Sequence, residues 1–84
     1  GLIWKAVDDD KLIDEADTLL ARFAAAPTRG LAETKRAIRT ALSRTLDQQL
    51  DLERDLQRAI GRTDDYREGV DAFLTKRKPQ FQGR

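Results

Sequence analysis

The 84-residue sequence contains no cysteine and no histidine. The absence of cysteine excludes disulfides, thiol catalysis and cysteine-ligated zinc, and the absence of histidine removes the commonest general base and metal ligand. The longest uninterrupted apolar run has four residues, Phe23 to Ala26, whereas a membrane-spanning helix needs about 20. No apolar signal segment opens the sequence. These absences favour a chain of the reducing cytoplasm with no membrane partner.

The apolar content is small for an independent core. The sequence has 22 large apolar residues, half of them leucine. A domain of this size buries roughly 60% of its unfolded surface. Below about 80 residues, a single hydrophobic core seldom supplies more than ~3–5 kcal/mol of stability unless disulfides or a bound metal add to it. We therefore expect a partner surface to cover part of this chain.

Charge is distributed unevenly along the sequence. Residues 8–17 hold six acids, residues 28–44 hold five bases, and residues 75–84 hold four bases with no acid. Residues 1–74 therefore carry a net charge of −3 and the remainder +4. The first two segments are typical of solvated helix faces, while the basic end is suited to steering an anionic partner.

The first seven residues, GLIWKAV, differ from the rest of the chain. They are apolar at five positions, three of which are β-branched or aromatic, a pattern typical of a short strand. A lone strand cannot satisfy its backbone hydrogen bonds, and no later segment resembles a second strand. The segment is therefore either a disordered leader or, as we favour, part of a sheet whose other strands lie outside these 84 residues.

From residue 8 onward the apolar spacing is helical and predicts four amphipathic helices. The first should run from about Asp9 to Ala25, because Pro27 cannot continue it. Thr28 is the predicted N-cap of the second, which should end near Ser43. The third should follow Thr45 and end at Gly61, and the fourth should follow Thr63 and end near Lys78. Short links between such helices predict an all-α fold, with a helical bundle as the simplest arrangement.

Few side-chain patterns in the chain suit catalysis. Carboxylates four apart share a helix face at Asp47/Asp51 and Asp51/Asp55, but a di-metal bundle site also needs histidine. We predict no metal site and no catalytic residue. The basic cluster Lys35, Arg36 and Arg39 could meet phosphates, yet the net charge is near zero and no aromatic residue interleaves, so we expect no nucleic-acid partner.

Phe73 and Lys76 form the most informative pair. They are three apart in the predicted fourth helix and so share a face. An aromatic ring beside an ammonium can hold a nucleotide, the ring packing on the base and the cation meeting phosphate. The alternative is that Phe73 is a core residue and the basic residues after it are solvated, and these residues alone favour that alternative.

Three runs resemble the crotonase superfamily, the enoyl-CoA hydratases and isomerases. DYREGVDAFLTKRKPQFQGR (65–84) is similar to the family's C-terminal signature, with an E-G, then A-F-L-x-K-R-x-P-x-F and a basic end. PTRGLAETKRAI (27–38) and LDQQLDLERDLQR (46–58) resemble two further family segments. Together with GLIWKAVDDD, the resemblance covers essentially the whole chain, and GLIW, LDQQLDLERD and DYREGV most resemble the phenylacetate-degradation branch.

The resemblance implies that the catalytic groups and the helical region belong to different parts of the protein. Family members have a β-spiral core followed by a helical region that roofs the acyl-CoA site and helps to build trimers and hexamers. The catalytic carboxylates and the oxyanion hole belong to the core, so residues 1–7 are expected to end that core and residues 8–84 to form the C-terminal helical domain. Phe73 and Lys76 match the family's A-F-x-x-K motif and are expected beside the CoA nucleotide, with the CoA thioester as substrate and no covalent cofactor. A stand-alone interaction bundle without CoA binding is the competing hypothesis.

Overall fold

The structure is a computed structural model that describes all 84 residues. A single 3₁₀ turn, Asp9–Lys11, precedes four helices: α1 (Leu12–Ala24), α2 (Thr28–Ala41), α3 (Leu46–Ile60) and α4 (Asp64–Leu74). The predicted all-α class with four amphipathic helices is confirmed. Residues 1–8 have no strand partner and form no β-ladder, so the strand-like pattern of GLIWKAV produces no strand within this chain.

Two threonines begin helices as predicted. The Thr45 side chain accepts a hydrogen bond from the Gln48 N–H at 3.3 Å, and the Gln48 side chain accepts from the Thr45 N–H at 3.1 Å, which is a complete capping box. The Thr63 side chain likewise accepts from the Tyr66 N–H at 3.1 Å. Both caps satisfy N–H groups that have no partner within the helix.

The prediction that Thr28 is an N-cap is wrong. The Pro27 carbonyl already accepts the Leu31 N–H at 3.1 Å, so Pro27 is the N-cap and Thr28 is the first helical residue. A proline at this boundary has no N–H to leave unsatisfied, and its fixed φ, here −69°, suits a helix start. α1 also differs slightly from its prediction, because its first turn tightens into the 3₁₀ turn.

The fourth helix ends four residues earlier than predicted. Thr75 is its C-cap, and Lys76 follows with φ of 54°, in the left-handed region. The Arg77 N–H donates to the Ala72 carbonyl at 3.0 Å and the Lys76 N–H donates to the Phe73 carbonyl at 3.3 Å. This pair of bonds is a Schellman motif. It reverses the chain before Pro79 is reached, so the proline does not determine where the helix ends.

The four helices form an open layer rather than a closed bundle. The layer measures 45 × 38 × 18 Å and its radius of gyration is 16.1 Å, against about 12 Å for a compact domain of this length. Only α2 and α3 pack extensively against each other. Short links place consecutive helices next to each other, but they do not make the apolar stripes of all four helices face a common core.

Almost nothing in the chain is buried. Thr63, Asp65 and Ala72 are the only buried residues, and only Ala72 is apolar. The accessible surface is 7390 Å², whereas a compact protein of 9.5 kDa exposes about 5000 Å². The exposed large apolar residues come from the first residues of the chain, from all four helices and from the end of α2 (Leu2, Ile3, Trp4, Leu12, Ile13, Leu20, Phe23, Leu31, Ile38, Leu42, Leu46, Leu50, Tyr66, Val70, Phe73 and Leu74). This chain therefore does not build a core of its own.

Candidate functional site

The structure places Phe73 and Lys76 at the end of α4, on either side of its last residues. Phe73 lies in the final helical turn and is 83% exposed. Lys76 lies beyond the helix, so the prediction that the two share a helix face is wrong in its geometry. The left-handed turn brings them together instead, because the Lys76 N–H donates to the Phe73 carbonyl. The two residues thus belong to the same turn through their backbone.

A shallow groove of about 380 Å³ lies beside this turn. Its walls come from α4, from the chain's last residues and from the residues that precede α2 and α4 (among them Pro27, Ile60, Tyr66, Val70, Phe73 and Phe81). Aromatic and aliphatic groups dominate the lining, which suits a flat apolar ligand surface. Phe73 is therefore at the rim of a groove that is open to solvent.

The C-terminal segment, residues 79–84, runs back along α4 and is held there by Asp65. The Asp65 carboxylate accepts the Gln82 N–H at 2.6 Å and the Gly83 N–H at 2.8 Å, and the Asp65 N–H donates to the Arg84 carbonyl at 2.8 Å. Asp65 is only 5% exposed, and a buried carboxylate without such donors would be costly. Asp65 is therefore a structural anchor for the chain's last residues.

A second attachment lies one turn further along α4. The two Glu68 carboxylate oxygens accept from Arg77 at 2.6 and 2.8 Å, and Glu68 Oε1 also accepts the Gln80 N–H at 2.6 Å. Arg77 in addition donates to Asp71. We refer to Glu68, Asp71 and Arg77 as the Arg77 clamp. Bidentate pairing of this kind is both strong and directional.

The electrostatics of the clamp follow from these bonds. Hydrogen bonds from Arg77, and then from the Gln80 N–H, lower the pKa of Glu68 to about 2. The same contact with Glu68, followed by that with Asp71, raises the pKa of Arg77. The positive charge of Arg77 is therefore balanced by Glu68 and Asp71. Lys76 and Lys78 pair with no carboxylate and remain available to an anion.

Sequence reasoning did not find the clamp or the Asp65 anchor. The signal was nevertheless present, because Asp65, Glu68 and Asp71 recur every three residues and so follow one side of α4. The acid-free, basic segment that comes next could have been paired with them. The spacing does not predict that the chain reverses at Lys76 and so brings Arg77 back beside Glu68.

A larger groove of about 900 Å³ lies along α2 and α3. Gln49 bridges the two helices by donating from Nε2 to the Ala37 carbonyl at 3.3 Å and to Glu53 at 2.8 Å. The groove is otherwise lined largely by aliphatic side chains (Leu31, Ile38, Leu42, Leu56 and Ile60). The aliphatic lining gives this groove the character of a packing surface.

No three acidic side chains converge where a metal ion could sit. In the basic cluster of α2, Arg36 pairs with Glu33 at 3.4 Å. None of the helices combines the length and the apolar character needed to cross a bilayer.

The chain is similar to known proteins along its whole length. The family model described as enoyl-CoA hydratase/isomerase matches residues 1–84. The chain is 57% identical over 84 residues to the 1,2-epoxyphenylacetyl-CoA isomerase of Escherichia coli (strain K12), covering 100% of this chain and 32% of that protein. It is 44% identical over the same span to a probable enoyl-CoA hydratase of Rhodobacter capsulatus, of which it covers 33%. The chain thus spans about a third of the length of these curated relatives.

Solved structures match the open layer itself. A Mycobacterium abscessus crystal structure assigned to the enoyl-CoA hydratase/isomerases matches with a TM-score of 0.95 and 34% identity, over 100% of this chain and 32% of that one. An enoyl-CoA hydratase subunit of Geobacillus kaustophilus matches with a TM-score of 0.86 and 35% identity, over 93% and 30% of the two chains. The open arrangement of this chain is therefore also present within chains about three times as long.

Proposed function

The chain belongs to the enoyl-CoA hydratase/isomerase family of the crotonase superfamily, and from this premise we propose that it is the C-terminal helical part of an enzyme that acts on an acyl-CoA thioester. Residues 1–7 are then the end of the core domain, and residues 8–84 are the helical domain. The observation that carries the proposal is that the family match runs through all 84 residues while they make up about a third of the relatives.

The large accessible surface of the chain supports the proposal that it docks on other protein. The chain exposes about 2300 Å² more than a compact protein of its mass would. A standard protein–protein interface buries about 1600 Å² in total, or about 800 Å² on each partner. The surplus therefore corresponds to more than one standard contact surface. We assign part of it to the core domain and part to neighbouring subunits in a trimer or hexamer.

In this arrangement the chemistry belongs to the core. Catalytic carboxylates and two backbone N–H groups of the core act on the thioester, the N–H pair stabilising the enolate oxygen. The helical domain covers the site and excludes water, and it contributes no catalytic residue. The histidine- and cysteine-free composition of the chain is consistent with that role.

Phe73 and Lys76 are our candidates for contact with the CoA nucleotide. The exposed ring of Phe73 at the rim of the smaller groove suits packing against the adenine base. The Lys76 ammonium has no carboxylate partner within the chain, so it is available to a phosphate. The substrate is then the CoA thioester itself, with no covalently bound cofactor, and the setting is cytoplasmic.

The identity of 57% with the 1,2-epoxyphenylacetyl-CoA isomerase supports a place in phenylacetate catabolism. The similarity to probable enoyl-CoA hydratases at 44% and 33% supports the family more broadly, including fatty acid breakdown. We favour the isomerase branch because its identity is the higher of the two.

The test compares the full-length protein with the 84-residue chain, each assayed with 1,2-epoxyphenylacetyl-CoA and with crotonyl-CoA. We expect the full-length protein to convert the epoxide and the 84-residue chain to convert neither substrate. Turnover by the 84-residue chain above background would overturn the proposal. A full-length protein that binds no acyl-CoA would also overturn it, and would favour a helical interaction domain without CoA.

A further inference from the structure

Lys76 occupies a backbone conformation that lysine rarely adopts. It is the only residue other than glycine with positive φ in the chain, and it lies at the position after a helix C-cap where glycine is the usual choice. A residue with a Cβ is held in this region only when its surroundings determine it. The backbone at this position must therefore be held by the residues around it.

The Arg77 clamp provides that constraint on the C-terminal side of the turn. Arg77, the next residue, is bound by two hydrogen bonds to Glu68 and one to Asp71. Gln80, four residues after Lys76, donates its N–H to the same Glu68 carboxylate at 2.6 Å. A single carboxylate thus fixes the chain on the far side of Lys76, while the helix fixes the near side.

We propose that Glu68 is a positioning residue for Lys76: through Arg77 and Gln80 it holds the left-handed turn that presents the Lys76 ammonium beside Phe73 to the phosphates of CoA. This inference rests on the function proposed above. Glu68 touches no ligand itself. Its contribution is to fix the turn before binding, so that little conformational freedom is lost when CoA binds.

The clamp also separates the roles of adjacent cations. Arg77 is neutralised by two carboxylates, whereas Lys76 meets none. Without Glu68, Arg77 would still be held by Asp71, but the chain after Lys76 would lose its attachment to Glu68, and Lys76 would be free to leave the left-handed region. Replacement of Glu68 is thus expected to act only through what it does to Lys76 and its turn.

The experiment is a double-mutant cycle in the full-length protein, with the dissociation constant for acetyl-CoA measured by titration calorimetry. We expect Lys76→Ala to raise that constant about two- to fivefold, the range typical of a partly exposed charge pair. Glu68→Gln should raise it by a similar factor in the wild-type background and leave it unchanged in the Lys76→Ala background. Asp51→Asn, which breaks an exposed Asp–Arg pair of α3 at 2.7 Å, is the matched control and should change nothing.

The outcomes separate this inference from the proposed function. If Lys76→Ala has no effect, the CoA contact itself is wrong and the inference falls with it. If Lys76→Ala weakens binding but Glu68→Gln does not, only the positioning role is wrong. Equal weakening by Glu68→Gln in both backgrounds indicates a merely structural role and also refutes it. Should Glu68→Gln fail to fold, Arg77→Gln enters the same cycle with the same expectations.

Discussion

Replacing Lys76 with glycine should stabilise the full-length protein and weaken acyl-CoA binding at the same time. Lys76 has φ of 54°, and a left-handed conformation costs a residue with a Cβ roughly 1–2 kcal/mol. Glycine removes that cost, but it gives up about 0.4–1 kcal/mol through the larger freedom of the unfolded chain. The net expectation is a gain of about 0.5–1 kcal/mol in the free energy of unfolding.

The assay is thermal or denaturant unfolding, run together with acetyl-CoA titration. A gain of this size corresponds to a rise of about 1–4 °C in the melting temperature for a protein of 150–250 residues, and the dissociation constant should rise severalfold because the ammonium is lost. A change that stabilises the protein and weakens binding is the signature of a strained functional residue.

Lys78→Gly is the matched control. It removes the same side chain two residues on, where φ is not positive, so it should lower stability slightly through the unfolded chain. If Lys76→Gly instead lowers stability by as much as Lys78→Gly does, Lys76 is not in the left-handed region and our account of the turn is refuted.

Three further predictions follow from the ends and attachments of the helices. Thr45→Ala removes a complete capping box and should lower the free energy of unfolding by about 1 kcal/mol, whereas retention of full stability in denaturant would contradict the capping role. The pKa of Glu68 falls from 4.5 to about 2 on folding. The stabilisation of the folded state by the ionised Glu68 is therefore complete above pH 4.5 and is lost as the pH falls towards 2. The Glu68 carboxyl carbon shift in NMR should therefore titrate near pH 2, and a midpoint near 4.5 would show that the clamp is not formed. Gly83→Ala places a Cβ 2.6 Å from Thr28 Oγ1 at φ of 78° and should lower the melting temperature, with Thr28→Ala restoring only part of the loss because the left-handed cost of ~1–2 kcal/mol remains. Full restoration would mean that the clash alone matters.

Local signals in the sequence predict most of the helix boundaries. Thr45 and Thr63 are N-caps because a hydroxyl followed by a polar first turn satisfies free N–H groups wherever it occurs. Pro27 ends the first helix for an equally local reason. Thr28 has the residue type of a cap but is not one, because the proline before it is the N-cap and two adjacent residues cannot both cap the same helix.

The remaining features depend on contacts between distant residues. Nothing local marks Lys76 as left-handed, because the Schellman turn there lacks the glycine that usually reveals it. The bond between Glu68 and Arg77 spans nine residues and exists only after the chain has reversed. The family motif pointed to Phe73 and Lys76, but their juxtaposition arises from this turn rather than from helical spacing.

The open layer is the feature that helical periodicity predicted least well. Helical spacing marks each stripe as apolar, and short links favour closure of the stripes on one another. Periodicity shows which face of a helix is apolar, but not what covers it. In this chain the stripes remain exposed, and the structural relatives that share the layer are chains about three times as long.

We infer above all that these apolar faces dock on protein outside the 84 residues. Size-exclusion chromatography of the 84-residue chain with in-line X-ray scattering tests it by giving the mass and radius of gyration together. We expect either a mass above 9.5 kDa through self-association or a monomer whose radius is well above the compact value of about 12 Å. A 9.5 kDa monomer with a radius near 12 Å would mean that the helices close on one another, and would contradict the claim.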